Sequence, residues 1–203
     1  MKQKSFWIVL LGFVALLGGA YVLYDRMSGN AGANQLAVQN GGGAVEEESG
    51  SGETADGEET PEPVAAPDFT VYDRAGEEVH LTDYLGKPVV LNFWASWCGP
   101  CQSEMPDFDE AHGRLGEEIQ FLMVNVTDGD RETEDKAAAF VEEQGYAFPV
   151  FFDSDLSATQ AYGAYSLPTT YFIDAEGYAV ARAVGAINAE TLQTGIDMII
   201  PAL

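Results

Sequence analysis

Cys98 and Cys101 are the only cysteines in 203 residues, and they stand three positions apart in Trp97-Cys98-Gly99-Pro100-Cys101. Two thiols at this spacing can close a small ring with little backbone movement. At a helix start, free N–H groups and the helix dipole stabilise a thiolate on the first sulfur. That thiolate attacks a disulfide, a mixed disulfide forms, and the second thiol displaces the product. Cys98 is therefore the expected nucleophile. Cys101, one turn into the helix and more buried, is the expected resolving thiol. The alternative is a passive disulfide, but so short a loop constrains the unfolded chain little. A Cys₄ or Cys₂His₂ zinc site needs four ligands. Only His80 and His112 accompany the pair, so neither a metal nor another cofactor is expected.

The residues around the pair predict the elements that hold it. Val89–Ala95 is a near-continuous apolar run, as in a strand buried on both faces. Pro100 suits the first turn of a helix that runs on through Leu115, with a bend at Pro106. Ile119–Val126 reads as a second buried strand, and Arg131–Gln144 as a helix stopped by Gly145. Short strands are predicted near 68–71 and 79–81, and one helical turn over 81–86. Phe148–Phe152 is a short apolar segment and Leu156–Tyr162 a short helix. Thr169–Ile173 and Tyr178–Val184 form a hairpin, and Thr191–Ile200 a terminal helix. Strand–helix alternation followed by a hairpin implies an α/β domain, a central mixed sheet covered by helices.

Three regions divide the chain. Residues 1–26 carry Lys2 and Lys4 ahead of an apolar run over 5–24. Twenty residues make a helix of roughly 30 Å, about the thickness of a bilayer's hydrocarbon core. Basic residues before the run predict an N-terminus in the cytoplasm and the remainder outside. A cleaved signal peptide ending near Gly18-Gly19-Ala20 is the alternative, and both export the domain. Residues 27–66, rich in Gly, Ser, Ala and Glu, read as a disordered acidic tether. Residues 67–203 form the folded domain. It holds 24 acidic and 6 basic side chains, within a whole-chain charge of −24. Without a basic footprint, nucleic-acid binding is set aside.

The segment Asn92-Phe93-Trp94-Ala95-Ser96-Trp97-Cys98-Gly99-Pro100-Cys101 resembles the active-site segment of the thioredoxin superfamily. Glu104-Met105-Pro106, Phe148-Pro149-Val150, Ala161-Tyr162-Gly163 and Leu167-Pro168-Thr169-Thr170-Tyr171-Phe172-Ile173-Asp174 are similar to its membrane-anchored branch, represented by TlpA and ResA. The similarity covers roughly residues 67–200. It implies a thioredoxin-like fold behind an N-terminal transmembrane helix. It implies that Pro168 is cis and faces the cysteines, and that Leu167 offers backbone groups to a bound peptide. Trp97, Gly99 and Pro100 are the implied substrate-facing neighbours. Thioredoxin has a buried Asp on the strand before the motif, where this chain has Asn92, which cannot take up a proton. The branch instead has a Glu just after the second cysteine, matched by Glu104. A carboxyl there with a raised pKa exchanges the resolving thiol's proton; a solvent-facing helix glutamate is the alternative.

These residues and the resemblance predict an extracytoplasmic, membrane-anchored reductant of protein disulfides. The Gly-Pro spacer resembles that of thioredoxin, whose potential is about −270 mV. By family analogy the target is apocytochrome c and the electron donor a membrane dithiol carrier of the CcdA type. An oxidant or isomerase of folding proteins is the competing enzyme. A peroxidase would want a Thr-x-x-Cys site, which is absent. A copper chaperone of this fold would want C-x-x-x-C and a suitably placed histidine.

Overall fold

An apolar segment buried on both faces carries the sheet, and everything near the cysteines is placed relative to it. The computed structural model describes residues 34–38 and 63–200. The chain divides into two units at Ala33/Asn34, and the described residues belong to the second. Along the chain they form β1 (Leu36–Val38), β2 (Val64–Ala65), β3 (Thr70–Tyr72) and β4 (Glu78–His80). A 3₁₀ turn (Leu81–Tyr84), β5 (Val89–Trp94), α1 (Gly99–Leu115), β6 (Gln120–Asn125) and α2 (Glu134–Gln144) follow. Then come β7 (Val150–Phe152), α3 (Ser157–Tyr162), β8 (Thr169–Ile173), β9 (Tyr178–Val184) and α4 (Ala189–Ile199).

The strands make one mixed sheet in the order β1-β9-β8-β5-β6-β7-β3-β4, with β2 also pairing β9. β5, β6 and β7 are parallel, and all the flanking pairings are antiparallel. Because side chains alternate along a strand, β5 divides itself between two cores. Val90 and Trp94 pack with α1, α2 and α4 on one face, around Met105, Phe108, Val141 and Ile196. Val89, Leu91 and Phe93 pack on the other, with Phe69, Val71 and Tyr162. α4 approaches the sheet closely at Gly195, where a Cβ would lie 2.3 Å from the Phe172 ring. The mixed sheet, its helical cover and the terminal hairpin are those predicted from the sequence.

Two local expectations change. Composition predicts no structure anywhere in residues 27–66, yet Leu36–Val38 and Val64–Ala65 both add to β9. The exposed edge of a sheet offers unpaired N–H and C=O groups that even a low-propensity segment can satisfy. The remainder of that acidic segment lies outside the described residues. The helix expected from Arg131 begins instead at Glu134, because Thr133 caps it by accepting the Lys136 N–H at 3.3 Å. Among the described residues no helix is long and apolar enough to cross a membrane. The apolar run over 5–24, and the anchor predicted for 1–26, lie outside them.

Candidate active site

The cysteine loop leaves the end of β5 and turns directly into α1. Cys98 is the N-cap of that helix, Pro100 lies in its first turn, and Cys98 Sγ accepts the Cys101 N–H at 3.3 Å. Cys98 and Cys101 are joined as a disulfide with their Cα atoms 5.2 Å apart. Cys98 is 4% exposed and Cys101 is fully buried. The burial order expected from helix geometry therefore holds. Trp97, Gly99 and Pro100 are exposed around the pair. The Leu167–Pro168 peptide is cis. Pro168 immediately precedes β8, whose Thr169 registers with Phe93 of β5, so it sits beside the strand end from which the cysteine loop departs. Leu167, half-buried, touches both cores and with Trp97, Val126, Leu156 and Tyr165 lines a groove of about 530 Å³.

Glu104 follows Cys101 by three residues, so the two share a helix face with Cβ atoms roughly 5–6 Å apart. It is not a surface glutamate: only 2% is exposed. Its Oε1 accepts the Asn92 amide at 2.8 Å and its Oε2 accepts the Ile187 N–H at 2.9 Å. Burial pushes the carboxyl up to about 8, despite these two bonds, which favour the charged form; Asp107 nearby adds a smaller upward push. The Asn92 amide nitrogen also reaches Thr170 Oγ1 at 3.0 Å, while its oxygen is buried without a partner. Half a turn of that amide would exchange the two ends. The oxygen would then accept from a protonated Glu104 and from the Thr170 hydroxyl. Asn92 can thus serve either protonation state of its neighbour, though it cannot itself take the proton.

Sequence reasoning passes over Glu132. It is fully buried, and its carboxylate accepts the Ser96 N–H at 2.9 Å, the Ser96 hydroxyl at 2.7 Å and the Asn125 amide at 2.8 Å. It thereby holds the residue before Trp97 from the next loop. The adjacent Arg131 guanidinium lies 3.4 Å from the centre of the Trp97 ring, a cation–π contact. The available signal is Thr133, whose capping preference frees Glu132 from the helix. Glu132→Ala is expected to remove the acceptor of two part-buried Ser96 donors and of the buried Asn125 amide, and to cost about 2–4 kcal/mol. Urea unfolding of the oxidised chain checks this; a loss under about 1 kcal/mol would make the carboxylate dispensable.

Neither histidine joins the cysteines. His112 is eleven residues beyond Cys101, about 16 Å along α1, and packs edge-on against Phe121. His80 lies in edge strand β4, with its ring near the Thr70 hydroxyl. Among the described residues no group of three or more His, Cys, Asp or Glu side chains is arranged to hold a metal.

A dithiol pair at a helix N-terminus, beside a cis-proline loop in this sheet, defines a thioredoxin-type thiol–disulfide oxidoreductase. Residues 64–182 match the profile of the AhpC/TSA family, and the chain belongs to that family of thioredoxin-like proteins. Thiol-disulfide oxidoreductase ResA of Geobacillus thermodenitrificans (strain NG80-2) is 37% identical over 137 residues, 67% of this chain and 76% of its own length. Thioredoxin-like protein YneN of Bacillus subtilis (strain 168) is 32% identical, over 66% of this chain and 77% of its own. Among solved structures, the exposed lipoprotein thioredoxin Etrx1 of Streptococcus pneumoniae strain TIGR4 has a TM-score of 0.57 at 34% identity. That match covers 64% of this chain and 99% of Etrx1. The protein is a thiol–disulfide oxidoreductase of the ResA and thioredoxin-like type.

Proposed function

We propose that this protein is a membrane-tethered, extracytoplasmic reductant of protein disulfides. Cys98 is the nucleophile. Its thiolate attacks the target disulfide, one target thiolate leaves, and a mixed disulfide remains. Glu104, as carboxylate, takes the Cys101 proton, and the Cys101 thiolate attacks Cys98 Sγ. The second target thiolate then leaves, with two electrons transferred and the Cys98–Cys101 disulfide formed. Leu167 and Pro168 dock the target strand, while Trp97, Gly99 and Pro100 form the surface it meets. The apolar run over 5–24 is the tether. Apocytochrome c is the target class, and a membrane dithiol carrier of the CcdA type restores the dithiol.

The observation that carries the reducing direction is the Gly99-Pro100 spacer between the cysteines, which resembles that of thioredoxin, a reductant at about −270 mV. Equilibration of the full chain in thiol redox buffers is expected to give a potential near about −270 mV. A potential near about −120 mV would instead make it an oxidant of folding proteins.

A further inference from the structure

β1 reaches the redox site through one loop. Asn34, just ahead of β1, brackets Ile187 from both sides. Its N–H is donated to the Ala186 carbonyl at 3.3 Å, and its Oδ1 accepts the Asn188 N–H at 2.7 Å and the Thr191 hydroxyl at 3.4 Å. The peptide held between those contacts carries the Ile187 N–H that is donated to Glu104. Leu36, Ala37 and Val38 pair with Ala183, Arg182 and Ala181 of β9, the strand that leads into the same loop. We propose that Asn34 and β1 are positioning elements of the active site: the docked segment fixes the loop over 185–188, and so sets how firmly Ile187 holds the Glu104 carboxyl.

The arrangement makes the contact displaceable. Ala37 and Val38 are exposed, and only Leu36 is half-buried against the core. A three-residue edge strand with little burial opens at low cost. Opening it would loosen the Ile187 bond, which favours the charged carboxyl, and Glu104 would hold its proton to higher pH. Other groups facing Glu104 do not compete for this role. Asp107 on its own helix is the charged side chain acting on it. β5 and β8 present neutral Asn92 and Thr170. Arg182 of β9 lies over Tyr171, and Glu190 and Asp197 of α4 are exposed. In the oxidised chain the cysteines do not titrate.

The functional weight of this device rests on Glu104 as the proton-exchanging group, so the two are tested apart. The probe is the side-chain carboxyl resonance of Glu104 in the oxidised full chain, labelled with ¹³C-glutamate and identified by its absence in Glu104→Gln. Asn34→Gly keeps the left-handed backbone at this position (φ 61°) and removes only the side-chain acceptor. Leu36→Asn removes the apolar anchor of β1. The native midpoint is expected near about 8, and both variants should raise it by about half a pH unit. A midpoint unchanged in both overturns the proposal. If the midpoint moves while the thiol reactivity of the reduced chain ignores it, the positioning stands and the catalytic role of Glu104 falls.

Discussion

Cys101→Ser is expected to accumulate mixed disulfides with target proteins through Cys98, and Cys98→Ser to accumulate none. Both variants should lose turnover by on the order of 10³-fold or more, because each removes a thiol that no other residue can replace. The asymmetry comes from placement. Cys98 is the helix N-cap, where the first-turn N–H groups and the helix dipole stabilise a thiolate that the exposed Trp97, Gly99 and Pro100 leave approachable. Cys101 is fully buried and faces Cys98 rather than solvent. It can therefore resolve a mixed disulfide but not start one. Non-reducing electrophoresis of each full-length variant, after exposure to a disulfide-bonded target, reads the result directly. Equal trapping by the two variants would overturn the assignment, and the protein captured by Cys101→Ser would identify the target.

Glu104→Gln should make the oxidised chain's stability less dependent on pH. The sign follows from the raised carboxyl. Between its ordinary value of 4.5 and the folded value of about 8, the folded chain keeps a proton that the unfolded chain has released. Stability from this group therefore falls as pH rises through that window. The loss above pH 8 is of order 3–5 kcal/mol if the full displacement is realised. The substituted side chain stays neutral at every pH, and the partnerless Asn92 oxygen can turn to accept its amide. The variant is thus expected to be the more stable chain at pH 9 and close to the native one at pH 4, below the ordinary value of the carboxyl. Urea unfolding at those two pH values checks this; parallel stability profiles would show that Glu104 is not the titrating group. The same substitution should flatten the pH dependence of Cys101 reactivity, since the proton acceptor beside that thiol is gone.

Local pattern carries most of the fold. β5 is legible because a strand covered on both faces has no polar side to interrupt it, and Val89–Trp94 is buried at every position. The hairpin of β8 and β9 is legible from two strand-like runs around Asp174-Ala175-Glu176-Gly177. The start of the helix predicted from Arg131 is misplaced because an acidic loop and an acidic first turn have the same composition. Only the Thr133 cap separates them. The acidic segment is misread at Leu36–Val38 because three residues of ordinary propensity carry no strand signal of their own. What makes them a strand is the open edge of β9.

The amino-acid sequence by itself determined the cysteine pair and its reaction class. Those depend on residue type, a spacing of three and a helix start, all of which are local. It also pointed to Glu104 and Pro168 by resemblance. The tertiary structure alone decided what surrounds the pair. Glu104 is a buried carboxyl rather than a surface one because helix α1 lays it over Asn92 and under Ile187, 12 and 83 residues away along the chain. Glu132 braces Ser96 across 36 residues, and Asn34 reaches Asn188 across 154. Burial and long-range hydrogen bonds are properties of the packed sheet, and neither spacing nor composition encodes which distant groups the packing will bring together.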